Sequence, residues 1–262
     1  VRRRLLAVLL GLAASLPAAA GEQAAVYRVR GADARLFDQY DNDGYSLSVS
    51  GGSEGVVELL VRVSDAPLAS AAPFPTGRGK DAALPASPDR DRWAAELTSG
   101  SRRQVEAVER ILLGIAATVR YDPDRSLRQD PEGVWRSRRA HCVGFAEIAV
   151  DLLRRAGISA RTVQGVLRTA PGTDAWEKSL GGAYHRWIEV FYPDRGWVFS
   201  DPWASVNGVD ARYIPFSRRA LERPKELTIE EGPRRGSLDY RTVEAGSATV
   251  RMRSAGPPAS NP

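Results

Sequence analysis

Cys142-Val143-Gly144-Phe145-Ala146-Glu147-Ile148-Ala149-Val150-Asp151-Leu152-Leu153-Arg154-Arg155-Ala156-Gly157 is the stretch on which the fold turns. Phe145, Ile148, Ala149, Leu152 and Leu153 recur at spacings of three and four, the period of one helical face, and Gly157 supplies the left-handed residue that closes a helix. The spacing predicts a helix from about Cys142 to Ala156, with the only cysteine of the chain at its first turn. Unpaired N–H groups and the positive end of the helix dipole stabilise an anion there. A thiol so placed ionises more readily than a free one, whose pKa is about 8.5. The same N–H groups are available to a developing oxyanion.

Downstream the period changes from helical to alternating. Residues 160–167 read as one strand, and His185-Arg186-Trp187-Ile188-Glu189-Val190-Phe191-Tyr192 as a second. The turn Pro193-Asp194-Arg195-Gly196 then leads into Gly196-Trp197-Val198-Phe199-Ser200-Asp201-Pro202-Trp203, which completes an antiparallel hairpin. His185, one of two histidines, falls at the start of one strand and Asp201 at the end of the next. Neighbouring strands lie about 4.8 Å apart, so the imidazole can reach the carboxylate. Cys142, His185 and Asp201 thus supply, in chain order, the nucleophile, base and orienting acid of thiol catalysis.

These residues carry a family resemblance. The segment from Cys142 through Ala146, Leu152 to Arg161, and Val163-Gln164-Gly165 resembles the nucleophile helix and first strand of the transglutaminase-like superfamily. His185-Arg186-Trp187-Ile188-Glu189-Val190 is similar to that family's His-Ala-Trp-x-Glu-Val strand, and Gly196-Trp197-Val198 with Asp201-Pro202 to its Gly-Trp-x-x-x-Asp-Pro signature. The resemblance spans about 100 to 215. It implies an α+β fold with a papain/transglutaminase-like core, a nucleophile helix packed on an antiparallel β-sheet, and it implies that Cys142, His185 and Asp201 are catalytic. Two positions depart from the pattern: Ala140-His141 replaces the usual glycine approach to the cysteine, and Arg186 replaces the alanine after the histidine. Gln129 and Trp135 are candidates to complete the oxyanion site, and His141 is expected at its rim or in a structural role. The arylamine acetyltransferase type shares the order of the triad but requires an Arg-Gly-Gly-x-Cys approach that this sequence lacks.

The rest of the chain is read around that core. Arg2, Arg3 and Arg4, an apolar run from Leu5 to Leu16, and Ala18-Ala19-Ala20 form the pattern of an export signal cleaved near Ala20, too short for a membrane anchor. Alternating patches over 25–30 and 55–63, with Ser46 to Ser50 and the turn cluster Asp41-Asn42-Asp43-Gly44 between them, predict a small antiparallel β domain. The Asp-Asn-Asp run lacks the downstream acid of a helical calcium loop and reads as a plain turn. Residues 66–91 are rich in Pro, Ala, Gly and Ser, the composition of a strap. Ser101 is a possible cap for a helix whose apolar stripe runs from Val105 to Val119. The expected organisation is a signal over 1–20, a small N-terminal β domain over 21–65, a linker or extended strap over 66–98, the catalytic domain over 99–220, and a partly disordered C-terminal extension over 221–262.

Lys and Arg total 37 against 32 Asp and Glu, and three of the positives stand in the signal. The remaining arginine pairs are scattered rather than striped, which excludes a nucleic-acid surface. A lone cysteine in an exported chain cannot form an internal disulfide. A metal site of His141, Cys142, His185 and Asp201 has suitable ligand types, but adjacent residues seldom converge on one tetrahedral ion, and no cofactor or metal is expected. The expected activity is acyl transfer on a peptide or amide through a thioester, with hydrolysis favoured. Protein crosslinking is the alternative, and a scaffold that keeps the fold without chemistry is the rival from another class. The expected partner is a peptide or protein substrate.

Overall fold

A computed structural model describes residues 21–51, 55–75, 84–168, 183–219, 227–232 and 234–256. The expected signal segment lies outside the described residues, as does the glycine-rich stretch 169–183, whose sequence suits a substrate-covering loop or an exposed connector equally, apart from Ala183 at its end. Strands β1 (Glu22–Arg30), β2 (Tyr40–Asn42), β3 (Tyr45–Gly51) and β4 (Val57–Ser64) come first. Helices α1 (Pro88–Thr98) and α2 (Gln104–Thr118) follow, then β5 (Arg120–Tyr121), α3 (Pro131–Ser137), β6 (Arg139–Ala140) and α4 (Cys142–Arg155). The remaining strands are β7 (Ala160–Leu167), β8 (Ala183–Tyr192), β9 (Gly196–Ser200), β10 (Ser205–Val206), β11 (Tyr213–Pro215), β12 (Thr228–Glu231), β13 (Arg235–Gly236), β14 (Arg241–Ala245) and β15 (Ala248–Met252).

The centre is a four-stranded antiparallel sheet in the order β11-β7-β8-β9. Because side chains alternate across a strand, β8 serves two cores at once. Ile188, Val190 and Tyr192 join Ile111, Leu112, Ile115, Phe145, Ile148, Leu152 and Leu153 in a largely aliphatic core with α2 and α4. Trp187 faces the other way and joins Val163, Phe199, Tyr213 and Ile214. That second core is closed by the inward faces of β1, β3 and β4, with Tyr27, Tyr45, Leu47, Leu59 and Val61. The expected α+β architecture, a nucleophile helix on an antiparallel sheet, is the one observed.

The N-terminal strands belong to a sheet of order β12-β1-β4-β3-β2, with β13 also on β1. Its tyrosines bury their rings and satisfy their hydroxyls on backbone carbonyls of the opposite layer: Tyr27 on Ala211 (2.7 Å), Tyr45 on Tyr213 (2.6 Å) and Tyr40 on Phe216 (3.3 Å). A buried tyrosine needs such a partner, so each bond fixes register as well as filling space. Glu189, fully buried on β8, is held by Arg161 (2.5 Å) and by the Asn42 amide (2.8 Å). The turn after Asn42 is the expected one, with Gly44 at φ +79°.

Two expectations are corrected. Residues 66–98 are not simply a strap: α1 begins at Pro88, and Trp93 and Ala94 are buried in the aliphatic core, as is Leu68 upstream. The helix escapes an apolar-period reading because its buried first-turn residue is Arg90, paired with Asp151 (2.9 Å) and Glu132. Ser101 does not cap α2. The Glu106 carboxylate takes the free N–H groups of Arg102 (2.9 Å) and Arg103 (3.3 Å) instead. Within 221–262, expected to be partly disordered, the described residues include strands β12 to β15. Strand β12 pairs with β1, β14 and β15 form a hairpin whose Val250 and Met252 enter the aliphatic core, and β10 adds to β15.

Candidate active site

Helix α4 begins at Cys142 and its first turn is capped twice. His141 is the N-cap residue, and its Nδ1 accepts the Val143 N–H at 3.3 Å. The Gln129 Oε1 accepts two further N–H groups, from His141 and from Gly144, both at 3.1 Å. The Phe145 N–H bonds the His141 carbonyl. The helix-start donors expected to be open to an oxyanion are therefore mostly taken. Among the described residues the Cys142 N–H is the one in this turn for which no acceptor is found.

His185 and Asp201 come from the ends of β8 and β9. The His185 Nε2 lies 2.6 Å from Asp201 Oδ2, and Cys142 is near enough for the imidazole and the thiol to shift each other's ionisation. Asp201 is only 2 % exposed. It accepts the Tyr213 hydroxyl on Oδ2 at 2.9 Å and the Trp203 N–H on Oδ1 at 3.1 Å. Its backbone is pinned by reciprocal bonds with Ser205, both 2.8 Å. The Trp187 ring lies nearly parallel to the imidazole, with centroids 6.0 Å apart, and Tyr213 meets it edge-on at 5.8 Å.

The electrostatics follow from these contacts. Burial penalises the Cys142 thiolate. The hydrogen bond and charge of His185, with a bond from the Arg186 backbone N–H, outweigh that penalty and bring the thiol below its ordinary pKa. Burial likewise penalises an imidazolium, yet the Asp201 carboxylate beside His185, joined by the thiolate, raises its pKa to about 10. Asp201 is held below the usual carboxylate range against its own burial by His185, Tyr213 and the Trp203 N–H. These contacts favour the charged forms of the thiol, the imidazole and the carboxylate together. His141 goes the other way: burial, with Arg125 and Arg186 nearby, lowers its pKa. It stays neutral, as the acceptor role of its Nδ1 requires.

The structure brings together Cys142, His185 and Asp201, and sets Gln129 and His141 against the helix start as acceptors. Trp135 is placed differently, its ring packed on Trp93 (5.1 Å) and covered by the Arg138 guanidinium at 3.6 Å. Arg186 reaches the helix side of β8 and pairs with Glu147 at 2.8 Å, opposite His185, as alternation requires. Among the described residues no group of three or more His, Cys, Asp or Glu side chains is placed to hold a metal ion. Sequence reasoning misses Tyr213, which lies in no motif, and the Arg186 backbone donor, which no side-chain pattern reveals.

A family profile described as the transglutaminase-like superfamily matches residues 91–202. The uncharacterised protein YebA of Bacillus subtilis is 32 % identical over 110 residues, covering 38 % of this chain, and the chain spans 15 % of the length of that relative. A candidate cysteine protease from Cytophaga hutchinsonii is 14 % identical, with a TM-score of 0.45, over 87 % of this chain and 94 % of that one. The periplasmic domain of TgpA from Pseudomonas aeruginosa is 15 % identical, with a TM-score of 0.38, over 71 % and 88 %. The similarity of this chain to the transglutaminase-like superfamily thus lies in residues 91–202.

Proposed function

We propose that the chain is a thiol-dependent acyl hydrolase acting on peptide or amide bonds, with Cys142 as nucleophile, His185 as acid and base, and Asp201 as its orienting partner. The observation that carries this reading is the 2.6 Å contact of His185 Nε2 with a buried Asp201, beside a Cys142 whose ionisation the imidazole favours. The thiolate attacks the carbonyl carbon, a C–S bond forms, and the oxygen takes the negative charge beside the Cys142 N–H. His185 gives its proton to the leaving amine as the C–N bond breaks. Water then loses a proton to His185 and attacks the thioester, the C–S bond breaks, and the acid and thiolate are released. Cys142 is partly exposed, so water has access to the thioester. Trp203, 40 % exposed and next to the Asp201-Pro202 pair, offers an apolar wall to the acyl group. Export to the periplasm or medium is part of the same reading, supported by the charged and apolar start of the sequence. Among the described residues no helix is long and apolar enough to cross a membrane.

The test is mass spectrometry of peptide mixtures incubated with the protein and with Cys142→Ala, in the presence and absence of a primary amine. Hydrolysis predicts cleaved or deamidated peptides from the wild type alone. Amine-coupled products in place of these would make the protein a crosslinking enzyme, and identical spectra from both proteins would make it a scaffold. Alkylation of Cys142 by iodoacetamide should set in at lower pH than for a free thiol, whose pKa is about 8.5. The imidazolium should persist beside the thiolate until His185 loses its proton near pH 10. A rate that instead climbs through pH 8 to 9 as a simple thiol would contradict the pair.

A further inference from the structure

We infer that Gln129 is the positioning residue of the oxyanion site, acting as an acceptor rather than as a donor. This rests on the reading of Cys142 as nucleophile. A single oxygen, Gln129 Oε1, takes the N–H groups on both sides of the nucleophile, from His141 and from Gly144, each at 3.1 Å. The Gln129 amide nitrogen is turned away and donates to the Leu127 carbonyl at 3.1 Å. Its orientation is therefore set by three backbone groups, two at the oxygen and one at the nitrogen.

Bonding residues 141 and 144 to one atom fixes the backbone between them, and with it the direction of the Cys142 N–H. The Val143 N–H is spent on His141 Nδ1 and the Phe145 N–H on the His141 carbonyl, so the turn presents a single donor. A preorganised donor stabilises a developing oxyanion because it requires no reorganisation during the reaction. Gly144 is the second half of the device. A Cβ there would stand 2.5 Å from Gln129 Oε1, 2.8 Å from Val134 Cγ2 and 2.9 Å from Ala140 Cβ, so a side chain at 144 would displace the amide from its place.

Two reactions of the same thiol separate positioning from folding. Acylation by p-nitrophenyl acetate passes through an oxyanion: the thiolate carbon–sulfur bond forms, the ester C–O bond breaks and p-nitrophenolate leaves. Alkylation by iodoacetamide displaces iodide at a saturated carbon and needs no such site. Gln129→Met, close in volume but without the acceptor, should slow acylation of Cys142 by about 10- to 100-fold, short of the loss of a whole oxyanion donor at about 100- to 1000-fold. Its alkylation rate at pH 7 should stay within about threefold. Gly144→Ala should reproduce the defect, and the double variant should be no worse than either single one, because both remove the same interaction. Parallel loss of both reactions in a variant that keeps its circular dichroism spectrum, additive effects in the double variant, or unchanged acylation in Gln129→Met would each overturn the inference. If Gln129→Met does not fold, the ratio of acylation to alkylation in Gly144→Ala decides the matter by the same standard. Wild-type protein that is alkylated but never acylated at Cys142 would overturn the reading of the nucleophile itself, and this inference with it.

Discussion

The two faces of the central sheet are built from different materials. The helix-covered face, around Ile111, Ile115, Leu152, Leu153 and Val190, is aliphatic, and contact there is a matter of volume and shape. The face covered by the N-terminal sheet is rich in aromatic rings, and its tyrosines are tied by hydroxyls to specific carbonyls. One such tie continues toward the chemistry: Tyr45 bonds the Tyr213 carbonyl, and the Tyr213 hydroxyl bonds Asp201. Trp187, on the same face, lies against the His185 ring. The N-terminal sheet thus orients Asp201 and His185, whereas the helical side supplies bulk stability and carries Cys142.

That division of labour meets its most severe test at Trp187. Trp187→Ala is expected to cost about 3–5 kcal/mol in urea denaturation, as for a large aromatic lost from a core, and to slow Cys142 acylation per folded molecule as well. Loss of stability with undiminished chemistry would mean that the aromatic face has no say in the site. The matched probe on the other face is Leu152→Ala. It should cost about 2–5 kcal/mol while acylation per folded molecule stays the same, and any change in rate would erase the contrast.

Tyr213→Phe is a finer probe, because it removes one hydroxyl and almost no volume. A hydrogen bond to a charged group contributes about 1.5–3 kcal/mol, so stability should fall by up to that amount at neutral pH. Asp201 is a carboxyl whose folded pKa is lowered, so its bonds stabilise the protein above its unfolded pKa and are lost as the pH falls through the folded one. The gap between wild type and Tyr213→Phe in urea titrations should therefore shrink at acid pH, and a gap that widens would exclude Asp201 as the partner that matters. At the bottom of the scale stands Arg28→Ala. The Arg28 and Glu58 side chains are 63 % and 44 % exposed, and breaking that surface pair should change stability by less than about 1 kcal/mol.

The helical side is also the more legible in the sequence. The limits of α4 can be read because its apolar stripe is unbroken and Gly157 takes a left-handed conformation, at φ +81°, just past the last turn. Strand β7 stands out between its flanking breaks, and the β8–β9 hairpin from alternation and its Pro-Asp-Arg-Gly turn. Helix α1 is hidden because ion pairs stand where an apolar period would: Arg90 and Arg155 are buried around Asp151. Strands β12 and β14 are hidden by their charge, Thr-Ile-Glu-Glu and Arg-Thr-Val-Glu-Ala being stretches whose pairing depends on distant partners. At the site, the side chains that bear protons stand out by type and order. Gln129 is conspicuous for its amide, but its part as an acceptor for backbone on either side of the cysteine is a property of three-dimensional approach, and Tyr213 belongs to no pattern at all.

The pairing of β1 with β12 bears on how the protein is made. Strand β1 is among the earliest described segments to leave the ribosome, yet one of its two edges stays bare until residues 228–231 arrive. The carbonyl that receives the Tyr27 hydroxyl likewise lies 184 residues downstream. Closure over such separations is slow, because the entropy of the long intervening loop is lost before the contacts that compensate for it form. A chain interrupted before residue 228 would hold the cysteine, histidine and aspartate of the site and still present an open strand to its neighbours. In this topology, assembly of the reactive centre and concealment of an adhesive edge are late events of the same synthesis.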